Sequence, residues 1–237
     1  MDRPSKDRSE QPLGCRLKRV MLPLALGAVL LTGCSGCQII IGVLMMIKGP
    51  PTIEADFRQI TGKSLGEKGK KIAILSSSSV PAQSEVRSLD QDIITEVTRR
   101  LKAKDVNIVS SHEISRWIDD NGAITDEHDL TEIGAKFGVD YIVLFKFEEF
   151  GLREPNSPGM YRGHARGSVI VVETAKSALG EKTSRKIYHH PFSTLYPLNQ
   201  PIPAEQENVE TFRTRYMSRL GEELAKLFYD HRPGEEM

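Results

Sequence analysis

The sequence predicts an α/β (α+β) fold: a mixed sheet of about five strands, in the order β-α-β-α-β-β-β-α, with a long C-terminal helix packed on it. Three observations carry that expectation. Short apolar runs, Lys71–Leu75 (KIAIL) and Val139–Phe147 (VDYIVLFKF), have the length and β-branched content of buried strands. Leu89, Ile93, Val97 and Leu101 recur every fourth residue with charges between them, which is the pattern of an amphipathic helix. Val209, Phe212, Tyr216, Leu220, Leu224 and Leu227 stripe one face of a long segment, about Ala204–Asp230.

Taken in order, Lys71–Leu75 is the first strand and Ser76–Ser79 the loop after it. Ser88–Ala103 is the amphipathic helix, and Val106–Val109 a second short strand. His112–Asp120 and Asp129–Phe137 are helical segments separated by Asn121-Gly122, with Ser111 and Asp126 placed as caps. Gly138 stops the second of them, and the strand Val139–Phe147 follows. Gly163–Thr174 and Lys182–His190 read as two strands of a hairpin turning at Ala178–Glu181. Gly151–Arg162 and Pro191–Pro203 read as short, proline-rich connections. The early strands, linked by helices, are expected to pair in parallel, and the hairpin to extend the sheet antiparallel.

The N-terminus has a different character. Arg16, Lys18 and Arg19 form a positive region, Val20–Leu31 an apolar one, and Leu31-Thr32-Gly33-Cys34 closes the segment with small residues before a cysteine. These are the parts of an export signal, and the last four residues resemble the lipobox of bacterial lipoproteins. That resemblance implies a diacylglycerol on the Cys34 thiol, cleavage before it, and acylation of the new amino group. Residues 1–33 are then a signal peptide, 34–69 a lipid-anchored apolar segment followed by a flexible tether, and 70–232 one α/β domain. Each buried CH2 of an acyl chain contributes roughly 0.8 kcal/mol, so two or three chains hold a protein at a membrane surface. The rival is an N-terminal transmembrane helix over Val20–Ile47, since Ile39–Ile47 (IIIGVLMMI) is a second apolar run. The polar interruption from Thr32 to Cys37 counts against it.

Charge and cysteine content narrow the function. Basic and acidic residues balance at 32 each, and removing the first 33 residues leaves 26 basic and 29 acidic, about −3. No basic footprint for phosphates exists, so nucleic acid is not an expected partner. The three cysteines, Cys15, Cys34 and Cys37, all precede the domain, which therefore has neither disulfides nor thiol chemistry.

No motif assembles a catalytic, cofactor or metal site. Thr61-Gly62-Lys63-Ser64 has the tail of a phosphate loop without its first glycine or its preceding strand. Ser76–Ser79 follows a strand but lacks the glycines of a nucleophile elbow. His112-Glu113 has Arg116 where a zinc helix needs histidine, and His189-His190 should point to opposite faces of a strand. The acidic residues Asp119, Asp120, Asp126, Glu127 and Asp129 read as solvated helix ends, and Trp117 as core. The connection Pro191–Pro203 carries Phe192, Leu195, Tyr196 and Leu198, apolar for an exposed segment. It is the expected partner-binding loop, unless its aromatics fold back onto the sheet.

In element order the domain resembles the periplasmic α/β module of several envelope lipoproteins: the curli-secretion-channel (CsgG) group, the penicillin-binding-protein activator LpoB, and the N-terminal domain of TolB. Ile133–Phe147, a helix with Gly-Val-Asp leading into a long strand, is the closest part. The resemblance implies a non-enzymatic module for envelope assembly, secretion or transport, held at the membrane through the diacylglyceryl cysteine and working with other envelope proteins. Ser35 after the anchor, rather than aspartate, implies by the same resemblance a periplasm-facing place on the outer membrane. The curli channel inserts two long amphipathic hairpins where this sequence has short connections, so no pore is expected. A small-ligand or lipid-binding carrier or sensor, held by an N-terminal transmembrane helix, is the alternative.

Overall fold

The computed structural model describes residues 51–122, 127–176 and 182–234. The helices are α1 (Asp56–Thr61), α2 (Val80–Glu85), α3 (Leu89–Lys102), α4 (Ser111–Asn121), α5 (Glu127–Phe137) and α6 (Val209–Lys226). The strands are β1 (Ile72–Ser78), β2 (Tyr141–Glu154), β3 (Ser157–Lys176), β4 (Lys182–Tyr196) and the two-residue β5 (Ile202–Pro203). They make one mixed sheet in the order β1-β2-β3-β4, with β5 joined to β3 at Met160 and Tyr161. β1 and β2 run parallel from Ile72↔Tyr141 to Ser78↔Phe147, whereas β2, β3 and β4 are antiparallel neighbours. The mixed α/β architecture and the packed C-terminal helix are those expected from the sequence.

Period-two alternation sorts the side chains into two cores. Ile72, Ile74, Tyr141, Val143, Phe145, Val169 and Tyr188 face α1, α3 and α6. Ala73, Leu75, Ile142, Leu144 and Val172 face the other way, onto Ile114 of α4 and Leu130 and Ile133 of α5. Val171 and Val172 fall in different cores by the same alternation, and the register shift between them skips Ile187 of β4.

Four sequence expectations change. Val106–Val109 is no full strand: it touches β1 at one parallel bridge, Ile72↔Ile108, before the chain turns into α4 at Ser111. The N-cap position of α4 is Ser110, not Ser111. Ser76–Ser79 is mostly strand rather than loop, since β1 runs to Ser78 and Ser79 caps α2 by accepting from the Ala82 amide. The connections expected at 151–162 and 191–203 are largely strand as well. β2 runs to Glu154, only Pro155-Asn156 turns, and β4 continues through Pro191 to Tyr196. Proline is tolerated at Pro191 because β4 is an outer strand, where a missing N–H breaks no second ladder. Asn156 takes the left-handed φ of 62° that such a turn requires.

The segment expected to be tether also joins the domain. The packed unit begins at Thr52, with Ile53 bridged to His231 and Phe57 and Leu65 fully buried. The Phe57 ring meets Tyr141, Tyr188 and Phe228. Lys63, from the phosphate-loop-like tetrapeptide, pairs with Glu173 on β3 and lies 6.0 Å from the Tyr141 ring centre. The Ala178–Glu181 turn and the Asp126 cap lie outside the described residues, as does the whole segment 1–50.

Helices α3 and α6 cross closely at Gly221, where an added Cβ would sit 2.7 Å from the Glu96 Cβ. Beside the crossing lies Arg100, whose side chain is fully buried. Its Nη2 donates to the Ser218 carbonyl (2.7 Å) and hydroxyl (2.9 Å), and its Nη1 donates to the Glu96 carboxylate.

These ion pairs set an acid limit on stability. Partial burial would raise the Glu96 carboxyl, but hydrogen bonds from Arg100 and Arg99 outweigh it and hold the group below its ordinary 4.5. The Lys63 hydrogen bond, opposed by partial burial and helped by Arg185, does the same for Glu173. A lowered folded value means stability that is complete above 4.5 and lost as pH falls through the folded values. The denaturant midpoint is therefore expected to be level from pH 7 to about 5 and to fall below pH 4.5. Lys63→Met should remove the Glu173 share of that slope; an unchanged acid limb would count against this assignment.

Candidate functional site

β4 decides how the expected binding loop is presented. Tyr188, His190, Phe192, Thr194 and Tyr196 face inward, and His189, Pro191, Ser193 and Leu195 are exposed between them. Two of the four residues expected to meet a partner therefore fold back. Phe192 sets its edge against Phe147, with ring centres 5.3 Å apart, and Tyr196 stacks on Tyr216 at 6.3 Å. The other two remain outside: Leu195 is 41% exposed and Leu198 75%.

A groove of ≈ 790 Å³ separates Leu195, Tyr196 and Leu198 from the outer side of α6, where Thr211, Arg215 and Arg219 line it. Both walls are fixed from beneath. Phe212, Tyr216, Leu220 and Leu224 are buried on the sheet side of α6, so the space between helix and sheet is filled. The Tyr216 ring lies flat over Gly163, where any Cβ would intrude on it, and its hydroxyl shares a 2.9 Å hydrogen bond with Thr194. Burial pushes that phenol well above its ordinary value. The loop itself is held by Arg162, whose Nη2 donates to the Leu198 carbonyl (2.9 Å) and Nε to that of Pro197 (3.3 Å). The same guanidinium pairs with Glu154 at 3.2 Å. Leu198 is thus positioned through its carbonyl, which accepts from the Arg162 side chain, while its own side chain stays in solvent.

Charges at the groove are paired within the chain. Arg215 binds Glu207 and stands 6.0 Å from the Tyr196 ring, Arg219 reaches Glu223 at 3.0 Å, and Lys226 binds Glu222. Leu195 and Leu198, named from the sequence, border this groove, and the structure adds Arg162 and the α6 wall, which the sequence did not suggest. The parity of β4 was the available signal for which aromatics turn inward.

The remaining candidates take structural roles. Ser76 and Ser78 both donate 2.6 Å hydrogen bonds to Asp90. His189 and His190 face opposite sides, and His190 Nδ1 lies 3.1 Å from Asp56, which also accepts from the Tyr188 hydroxyl at 2.6 Å. Burial, then Asp56, raises the Tyr188 phenol. His112 pairs with Arg116, and Trp117 packs edge-on against Phe137 in the second core. Cys34, the signal segment and Ile39–Ile47 lie outside the described residues, as do Asp126 and the side chains of Glu127 and Asp129.

No protein-family model matches the chain, and neither does any curated protein. Among solved structures, the lipoprotein GNA1162 from Neisseria meningitidis is similar over 65% of this chain and 96% of its own, at 12% identity and a TM-score of 0.36. The PelC dodecamer from Paraburkholderia phytofirmans is similar over 76% of this chain and 96% of its own, at 8% identity and a TM-score of 0.40. The LpoB C-terminal domain from Salmonella enterica is similar over 58% of this chain and 88% of its own, at 11% identity and a TM-score of 0.35. The structures similar to this chain thus include bacterial lipoproteins, at low identity.

Proposed function

We propose that the chain is a lipid-anchored, non-enzymatic protein of the cell envelope that binds a partner during envelope assembly, secretion or transport. The observation that carries the binding role is Leu198: an apolar side chain, 75% exposed, held in place by the Arg162 hydrogen bonds to its loop. Apolar groups fixed on rigid scaffolds beside a groove are recurrent anchor points for partners. The ion pairs of Arg215 and Arg219 supply the polar rim that surrounds such an anchor. The anchoring role rests on the ordered positive region, apolar region and Leu-Thr-Gly-Cys box ending at Cys34. Ser35 favours the outer membrane, with the domain in the periplasm.

A carrier or sensor would have to hold its ligand in the outer groove, since the space between α6 and the sheet is filled. Its ≈ 790 Å³ lies within the range of small-molecule sites, which keeps that second reading in view.

Two measurements on the full chain test the proposal. A palmitate analogue should label wild type and not Cys34→Ala; equal labelling would end the lipoprotein reading. A photo-crosslinker at Leu198 should join a discrete envelope protein, and Leu195→Asp should abolish that adduct without changing the thermal midpoint. Crosslinks to lipid or small amphiphile alone would favour the carrier.

A further inference from the structure

The outer edge of β1 is a second feature, separate from the α6 groove. Backbone groups of a parallel strand alternate in direction: one residue turns its N–H and C=O to one neighbour, and the next turns them to the other. In β1 the phase is set by hydrogen bonds at both ends. The Ser79 amide donates to the Phe147 carbonyl of β2, so odd-numbered residues face β2. The Ile72 amide donates to the Asn107 carbonyl, and the Val109 amide donates back to Ile72, so even-numbered residues face away from it. Ile74 and Ser76 therefore turn their N–H and C=O to the side opposite β2. There the chain's own short segment has already left: Val109 is its last bonded residue, and α4 begins at Ser111. Among the described residues, no backbone partner stands at Ile74 or Ser76 on that side.

This edge is sunk in a cleft of ≈ 430 Å³ rather than displayed on the surface. One wall is α3, with Asp90 and Ile94, and the other is α4, with Ile114, Ser115 and Ile118. Sheets normally protect an open edge by covering it, shortening it or charging it. Here the covering segment stops after one bridge, and the two helices stand apart along the remainder. Backbone donors and acceptors in a slot where Ile94, Ile114 and Ile118 alternate with polar Asp90, Gln91 and Ser115 match an extended polypeptide, which offers both main-chain partners and side chains of either kind.

We infer that the cleft between α3 and α4 accepts an extended peptide segment of another protein, added as a strand on β1 at Ile74–Ser78. The register continues that begun by Asn107–Val109, and the added strand spans about 16 Å for five residues. Its main chain bonds Ile74 and Ser76, which gives affinity independent of sequence. Alternate side chains meet Ile94 on one side and Ile114 and Ile118 on the other, so small or β-branched apolar residues fit. Proline at an edge-facing position does not, since it lacks the required donor.

The test uses a set of synthetic heptapeptides alternating Val, Ile or Thr with polar residues, titrated into the domain-containing protein and read by amide hydrogen exchange. In dilute free protein, the Ile74 and Ser76 amides should exchange at least tenfold faster than those of Ala73 and Leu75. Peptides should bind saturably and slow Ile74 and Ser76 at least tenfold. N-methylation of the peptide at alternate amides should weaken binding tenfold in one parity and leave the other unchanged. Ser115→Trp, which fills the cleft from the α4 wall, should abolish protection while circular dichroism and the thermal midpoint stay the same. Binding without protection of Ile74 and Ser76, indifference to methylation parity, or no binding by any peptide of the set would overturn the inference. Protection that instead grows with protein concentration alone would make a second copy the occupant, and would overturn the assignment to a foreign segment.

Discussion

Glu96→Ala is expected to cost about 3 kcal/mol of folding stability, because it leaves the Arg100 guanidinium buried without its counter-charge. The magnitude follows from the asymmetry of buried ion pairs. Removing one partner strands a desolvated charge at about 3–5 kcal/mol, whereas replacing both with apolar groups is often neutral. The lower end applies because the Glu96 side chain is 28% exposed, so water reaches part of the vacated space. The hydrogen bonds from Arg100 to Ser218 remain but do not neutralise the charge. Glu96→Ala with Arg100→Met should therefore recover most of the loss. Urea midpoints for the two single variants and the double variant form the check. A double variant as unstable as Glu96→Ala would show that the charge is not the cause.

Gly163→Ala is expected to be as damaging, through a different mechanism. The new Cβ would lie 2.7 Å from Cδ2 of Tyr216 and closer still to Cγ, so the ring cannot keep its place. Tyr216 also stacks on Tyr196 and Phe212 and lies 5.7 Å from Phe150, which leaves it little room to move. Overpacking of this kind costs about 1–3 kcal/mol, and the upper end applies where rigid rings surround the clash. Tyr216→Ala alone should cost about 3–5 kcal/mol from lost burial and the cavity left behind. Combined, the two changes should cost clearly less than their sum, because shortening Tyr216 clears the space that the new methyl on Gly163 needs. Strict additivity, measured by chemical denaturation, would mean that the ring and the glycine do not share one constraint.

That contact also explains why the sequence was readable in some places and not in others. The α3 stripe of Leu89, Ile93, Val97 and Leu101 and the apolar run of β1 are buried as their periodicity required. Each reports its environment through spacing alone. The long antiparallel strands run past their expected ends because Gly151, Pro158 and Pro191 have the composition of turns. Gly151 and Gly163 make room for specific rings, His164 beside Gly151 and Tyr216 over Gly163. Such needs belong to tertiary partners and leave no local signature. Val106–Val109 erred in the other direction: its apolar composition suits a strand, but the helix beginning at Ser111 takes the chain away after one bridge.

The apolar character of residues 191–203 was legible by composition, and their orientation only by half. Leu195 and Leu198 are exposed, whereas Phe192 and Tyr196 serve the aromatic cluster beneath them. The polar stretch before β1 was misread for a related reason. Its two core residues, Phe57 and Leu65, are isolated anchors, and isolated anchors show no period.

The Ile53–His231 bridge brings the two ends of the packed domain side by side. The Ile53 amide donates to His231 at 2.7 Å, the His231 amide returns a bond of 3.0 Å, and Asp230 grips both the Ala55 amide and Arg58. Domain boundaries this close make the packed unit a natural subject for circular permutation, with a short linker joining its two boundaries. The same closeness makes the two ends mechanically one. Force applied through residue 52 would be borne first by residues 230 and 231, so removing those two would loosen the start of the domain as well.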